Sequence, residues 1–121
     1  MGVSNLFPIL RTPDLPRLSR FYEEAFGATV TYRYTHEGAD VYIALAVNGG
    51  ALGIGLDADV TPGNPIAIWL YVDDADATYA TTLAAGAESI AAPENLPWGE
   101  RVAQIRDPDG NLLYVATLPA D

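Results

Sequence analysis

Pro97-Trp98-Gly99-Glu100-Arg101-Val102-Ala103-Gln104-Ile105-Arg106-Asp107-Pro108-Asp109-Gly110-Asn111-Leu112-Leu113-Tyr114-Val115 is the stretch on which the fold turns. Val102, Gln104 and Arg106 alternate with Ala103 and Ile105, the period of two expected of a half-buried strand. Asp-Pro-Asp-Gly-Asn then supplies a proline-fixed φ, short side chains that bond nearby backbone, and a glycine that accepts positive φ. An apolar run follows at once. The reading is strand, tight turn, strand, with Asp107 closing the turn on backbone N–H groups.

Working outward, the chain shows one pattern twice. Leu6 to Arg11 is a short apolar run, read as a buried strand and broken by Thr12-Pro13-Asp14. Asp14 suits a helix N-cap, and Pro16 falls in the first turn, where its missing N–H costs no bond. Leu18, Phe21, Tyr22, Ala25 and Phe26 recur on one helical face, and Gly27 ends the helix. Strand patterns follow at Thr29 to Tyr34, Val41 to Val47 and Ala51 to Leu56. Asn48-Gly49-Gly50 makes a hairpin of the last two. After a linker rich in proline and glycine, strand (Ile66 to Val72), Asp cap (Asp74), helix (through Ala85) and glycine (Gly86) return in order. Ser89 to Ala92, Arg101 to Arg106 and Leu112 to Thr117 complete the set. The expected fold is α+β, one domain over 1-121, with a first βαβββ module at 1-57, a linker at 58-65 and a second βαβββ module at 66-121. Each module covers one face of its sheet with a helix, so the other face must find cover or line a cavity.

The chain has 121 residues and no cysteine, so disulfides and thiolate metal sites are excluded. Sixteen acidic residues against six basic ones give a formal charge of −10. That balance repels phosphate backbones and anionic lipid, which argues against nucleic acid or membrane as partner and favours a cationic ligand. The first residues lack a basic segment followed by an apolar core, and no apolar run approaches the ~20 residues of a membrane helix. A cytoplasmic protein is expected.

Arg106-Asp107-Pro108-Asp109-Gly110-Asn111-Leu112 with Pro97-Trp98-Gly99-Glu100-Arg101 before it, together with Asp14 to Gly27, resembles the vicinal-oxygen-chelate superfamily of glyoxalases, bleomycin-resistance proteins and dioxygenases. The Pro-Trp-Gly-Glu-Arg segment is most similar to the antibiotic-binding branch. The resemblance implies two sheets curled around a cleft. It also implies a homodimer whose modules can be exchanged between chains, which the glycine and prolines of the linker permit.

Enzymes of that superfamily hold a divalent ion with His, Gln or Glu side chains. Counting along the matched motifs, those positions are Phe7, Gly53 or Ile54, Ile66 or Ala67, and Tyr114, none of which binds a hard or borderline cation. The single histidine, His36, stands beside Glu37 in an expected loop and is the alternative ligand pair. No cofactor is expected. What replaces the ligands is aromatic. Phe7 and Tyr114 take two of the positions, and if Ala67 faces the cleft, period two puts Trp69 and Tyr71 on the same face. The competing reading packs Trp69 on a helix as core. Trp98 lies at the entrance of the last hairpin, between proline and glycine. Glu100 either meets a ligand ammonium or pairs with an arginine across the hairpin.

The expected ligand site is Phe7, Trp69, Tyr71, Trp98, Glu100 and Tyr114, and the expected function is metal-independent binding and sequestration of a planar, cationic small molecule, without catalytic residues. Two alternatives stand beside it. One is a divergent metal-dependent lyase, isomerase or dioxygenase on the same scaffold. The other is an accessory dimeric protein without a ligand.

Overall fold

The computed structural model describes residues 7–61 and 66–119. The chain divides into two compact units, Met1–Thr61 and Pro62–Asp121, a boundary that falls inside the 58-65 linker. Leu6, at the start of the first expected strand, and residues 62–65 of the linker lie outside the described residues.

The first unit runs β1 (Ile9–Thr12), α1 (Leu15–Phe26), β2 (Thr29–His36), β3 (Ala39–Val47) and β4 (Gly50–Leu56). Its sheet has the order β1-β4-β3-β2. β1 pairs parallel with β4, and the other pairs are antiparallel. The helix begins where the Asp14 side chain accepts the Arg17 N–H at 3.2 Å. It ends on Gly27, whose left-handed φ of 68° lets its N–H reach the Glu23 carbonyl. Leu15, Leu18, Phe21, Tyr22 and Ala25 are buried on its inner face, as are Leu10, Ile43, Leu45, Leu52 and Ile54 of the sheet. α1 packs on β3 and β4.

The second unit repeats the plan with β5 (Ala67–Tyr71), α2 (Ala75–Ala84), β6 (Glu88–Asn95), β7 (Arg101–Arg106) and β8 (Leu112–Thr117), in the order β5-β8-β7-β6. β5 and β8 are parallel. Asp74 caps α2 by accepting the Ala77 N–H at 3.1 Å. The helix lies over β6, β7 and β8, above the buried Ala103, Ile105, Leu113 and Val115. The two βαβββ modules read from the sequence are the architecture observed.

Several boundaries differ from the sequence reading, and three of the differences have a physical reason. β1 starts at Ile9 rather than Leu6 and is not wholly buried, since Ile9 and Arg11 lie on the helix-free face while Leu10 and Thr12 are covered. Ahead of it Pro8 has no N–H for the ladder and contributes only its carbonyl, which accepts the Gly53 N–H at 2.9 Å. β2 runs on through His36, which pairs with Ala39, so His36 ends a strand rather than sitting in a loop. The turn is only Glu37-Gly38, with φ of 51° and 82°, and positive φ at both central residues suits the twist of a two-residue hairpin. β6 extends to Asn95 through Pro93 because it is an edge strand, where a proline N–H is not missed. Its register shifts on either side of Ala91, the mark of bulges.

Candidate functional site

The parallel register of β5 with β8 decides what the second unit exposes. Ala67 pairs with Leu112, Trp69 with Tyr114 and Tyr71 with Ala116. Along β5, Ala67, Trp69 and Tyr71 are exposed while Ile68 and Leu70 are half-buried. Ala67 is thus the outward residue of the two candidates for that position, and Trp69 stands on the helix-free face, 41% exposed, instead of packing under α2.

Cross-strand pairing brings the rings together. Trp69 and Tyr114 stack with centroids 5.0 Å apart and planes 21° from parallel. Tyr71 meets the Trp69 ring edge-on at 6.1 Å and 61°. β7 adds Gln104 beside Tyr114 in the same row. The sequence reading passed over Gln104, although its alternation with Val102 and Arg106 was the available signal.

Glu100 is the charged member of this group. It is 8% exposed, and its Oε1 accepts the Trp98 indole N–H at 2.6 Å. Trp98 itself is 62% exposed, at the tip of a turn in which the Leu96 N–H donates to the Glu100 carbonyl and the Gly99 N–H to that of Leu96. The nearby Glu100 carboxylate, as an acceptor facing the hydroxyl and through its negative charge, together with some loss of solvation, holds the Tyr71 phenol above its ordinary value. Five of the six expected residues thus lie within one unit, Trp69, Tyr71 and Tyr114 joined by ring contacts and Trp98 and Glu100 by a hydrogen bond. Phe7 belongs to the first unit, where it precedes β1 and is 42% exposed.

The arginines do not pair with Glu100. Arg101 grips Asp76 in the first turn of α2 through Nε at 2.6 Å and Nη2 at 2.9 Å, and reaches Asn95 Oδ1 at 3.2 Å. Its guanidinium holds the Asp76 carboxyl below the usual range, and the carboxylate raises Arg101 in turn. Arg106 donates to the Gly110 carbonyl at 3.0 Å. Among the described residues no guanidinium or imidazole forms an ion pair with Glu100.

The positions at which the resembled enzymes hold a metal do not supply a donor set. Ala67 is a methyl group, Ile54 is buried beneath α1, and Gly53 lies on the helix-free face under Tyr42. His36 Nε2 and Glu37 Oε1 are 3.8 Å apart, both well exposed. Among the described residues no three His, Asp or Glu side chains are grouped to hold an ion. These residues do not fit the divalent cation of the superfamily's enzymes.

On the first unit, register places Tyr32, Tyr34 and Tyr42 on the helix-free face, with Tyr32 and Tyr42 centroids 6.3 Å apart.

Comparison with known proteins agrees with this architecture. A Mycobacterium bovis protein described as uncharacterized is 32% identical over 118 residues, covering 88% of this chain and 78% of that protein. Another from the same organism, provisionally named a glyoxylase, is 36% identical over 105 residues, covering 84% of this chain but 40% of its own length. The bleomycin resistance determinant encoded on transposon Tn5 superposes with a TM-score of 0.74 at 22% identity, covering 98% of this chain and 100% of the other. Residues 6–115 match the family described as the Glyoxalase/Bleomycin resistance protein/Dioxygenase superfamily, and the chain belongs to it.

Proposed function

We propose that this protein binds and sequesters a planar, cationic small molecule in the cytoplasm, without a metal, on the helix-free face of its second unit. The observation that carries the reading is the Trp69–Tyr114 stack lying beside Tyr71, in the same unit as a buried Glu100 that accepts the Trp98 indole N–H. Stacking on such rings contributes about 0.5–1.5 kcal/mol per pair beyond area burial. A cation over a ring face adds roughly 0.5–2 kcal/mol, depending on how far it is desolvated. The carboxylate supplies the sign of charge that a cation needs, and no acid–base pair or nucleophile is required. Likeness to the Tn5 bleomycin resistance determinant supports the scaffold for this role.

The test is a titration with metal-free bleomycin and other planar cations, followed by quenching of the two tryptophans. Saturable quenching is expected, and Trp98→Ala is expected to weaken binding by roughly 1–3 kcal/mol. A flat response across the panel removes the reading.

One observation favours a second reading, a divergent metal-dependent enzyme: the 36% identity to the protein provisionally named a glyoxylase. Dialysis against zinc, nickel, manganese or iron followed by metal analysis separates the two, since a retained stoichiometric ion belongs to the enzyme. We also read the protein as a homodimer, whose modules can be exchanged between chains. The exposed Ile9, Tyr32 and Tyr34 of the first unit support apolar association, and sedimentation tests it.

A further inference from the structure

We propose that Gln104 is a specificity-determining residue of the site, and that the planar cation bound there carries a carboxamide, or an equivalent paired N–H and C=O edge, which the Gln104 amide receives. The inference rests on the sequestration reading and concerns the open face of Tyr114.

On the helix-free face of the second sheet, register sets Trp69, Tyr114, Gln104 and Ala91 in one row across the strands. Trp69 covers one face of the Tyr114 ring from the β5 side. The other face of that ring is turned toward β7, where Gln104 stands directly opposite Tyr114. Residues so opposed hold their Cβ atoms about 4.5–5.5 Å apart. A planar ring laid on the open face of Tyr114 therefore continues the stack one strand further and comes to lie over Gln104. Ala91, next in the row, brings only a methyl group beyond it.

Among the polar side chains of β7, Arg101 bonds Asp76 and Asn95, and Arg106 bonds the Gly110 carbonyl. The Gln104 amide is half-buried, yet it has no hydrogen-bond partner among the described residues. It thus presents a carbonyl acceptor and two N–H donors to whatever fills the face. A carboxamide offers the same pair reversed, so that its N–H donates to Gln104 Oε1 while its carbonyl accepts from Nε2. A ligand without the N–H strips water from the amide and returns one bond fewer, and that asymmetry is how a hydrogen-bonding site discriminates between ligands of one shape.

The experiment titrates the intact protein with the N-methylpyridinium cations of nicotinamide and of meta-acetylpyridine, reading tryptophan fluorescence and heat. The two ions share charge, ring and size, and differ only in an amino against a methyl group on the carbonyl. The nicotinamide ion is expected to bind at least about fivefold more tightly. Gln104→Met keeps the length of the side chain and removes the amide, so the ratio of the two affinities should fall to about one. The wild-type ratio decides the matter by itself if that variant fails to fold. A wild-type ratio near one, a ratio unchanged in Gln104→Met, or no binding of the nicotinamide ion where metal-free bleomycin quenches, overturns the role of Gln104 while leaving sequestration standing. Absence of saturable quenching by both ions and by the whole panel of planar cations overturns both.

Discussion

Gly53 sits under the Tyr42 ring. A Cβ placed there would stand 2.5 Å from Tyr42 Oη, 3.0 Å from its Cε1 and 3.1 Å from Ile9 Cγ1. The missing side chain is therefore what lets Tyr42 lie across β4, and the superfamily's metal position on that strand is filled by a neighbour's phenol. Gly53→Ala should cost roughly 1–3 kcal/mol, the usual range for overpacking. Tyr42→Phe in the same background should recover part of it, since the hydroxyl is the closest atom while Cε1 must still move. Urea denaturation of the two single variants and the double variant measures that coupling. Glu100 makes a related point. Its sequence neighbours suggested a ligand contact or an arginine partner, and the structure gives it the Trp98 indole N–H.

At the scale of the element, two hairpin turns of one shape carry different sequences. Asn48-Gly49 and Glu37-Gly38 both have positive φ at two consecutive residues, 43° and 90° in one, 51° and 82° in the other. Asparagine tolerates the left-handed region, and glutamate does so at a cost. Glu37→Asn should therefore raise stability by about 0.5–1 kcal/mol, and Asn48→Glu should lower it by a similar amount. Thermal unfolding of the two variants checks the pair, and a loss in Glu37→Asn would mean that the Glu37 side chain matters more than its backbone. The first turn was legible from Asn-Gly. The second was not, because His36-Glu37-Gly38 carries one turn residue in a polar run, and strand pairing, not local preference, extends β2 to His36. The turn-closing role of Asp107 was legible because the bonds that close the turn are local: its Oδ1 accepts the Asp109 and Asn111 N–H groups at 2.9 Å each, and its Oδ2 the Asn111 amide at 2.8 Å.

For the whole molecule, the charge of −10 and the perturbed groups set how stability responds to solution conditions. The hydrogen bonds from Arg101 make Asp76 titrate below the ordinary carboxylate value in the folded chain. Its contribution is therefore present above about pH 4 and is lost as pH falls through the lowered value. Tyr71 is raised above 10.0, so its contribution is complete below that pH and is lost as pH rises through the raised value. Asp76→Asn should flatten the acid limb of the stability profile and Tyr71→Phe the alkaline limb, each read by denaturant midpoint against pH. Added salt should weaken a cationic ligand's binding while relieving self-repulsion in the chain. A ligand titration that ignores salt would count against electrostatic attraction.

The sequence by itself determined the two modules. Asp caps, a terminating glycine, an alternating strand and a turn of Asp-Pro-Asp-Gly-Asn act over a few residues, so their physics is complete within the stretch that carries them. Only the tertiary structure decided which face of β5 is open, since a strand's two faces are chemically equivalent until register with β8 puts Trp69 on Tyr114 and leaves α2 on the far side. Only it paired Arg101 with Asp76, twenty-five positions apart, and so left Glu100 to the Trp98 indole. Helix caps and turns are local contests between neighbouring groups. The candidate site is made of cross-strand neighbours, and these exist only once the sheet has formed.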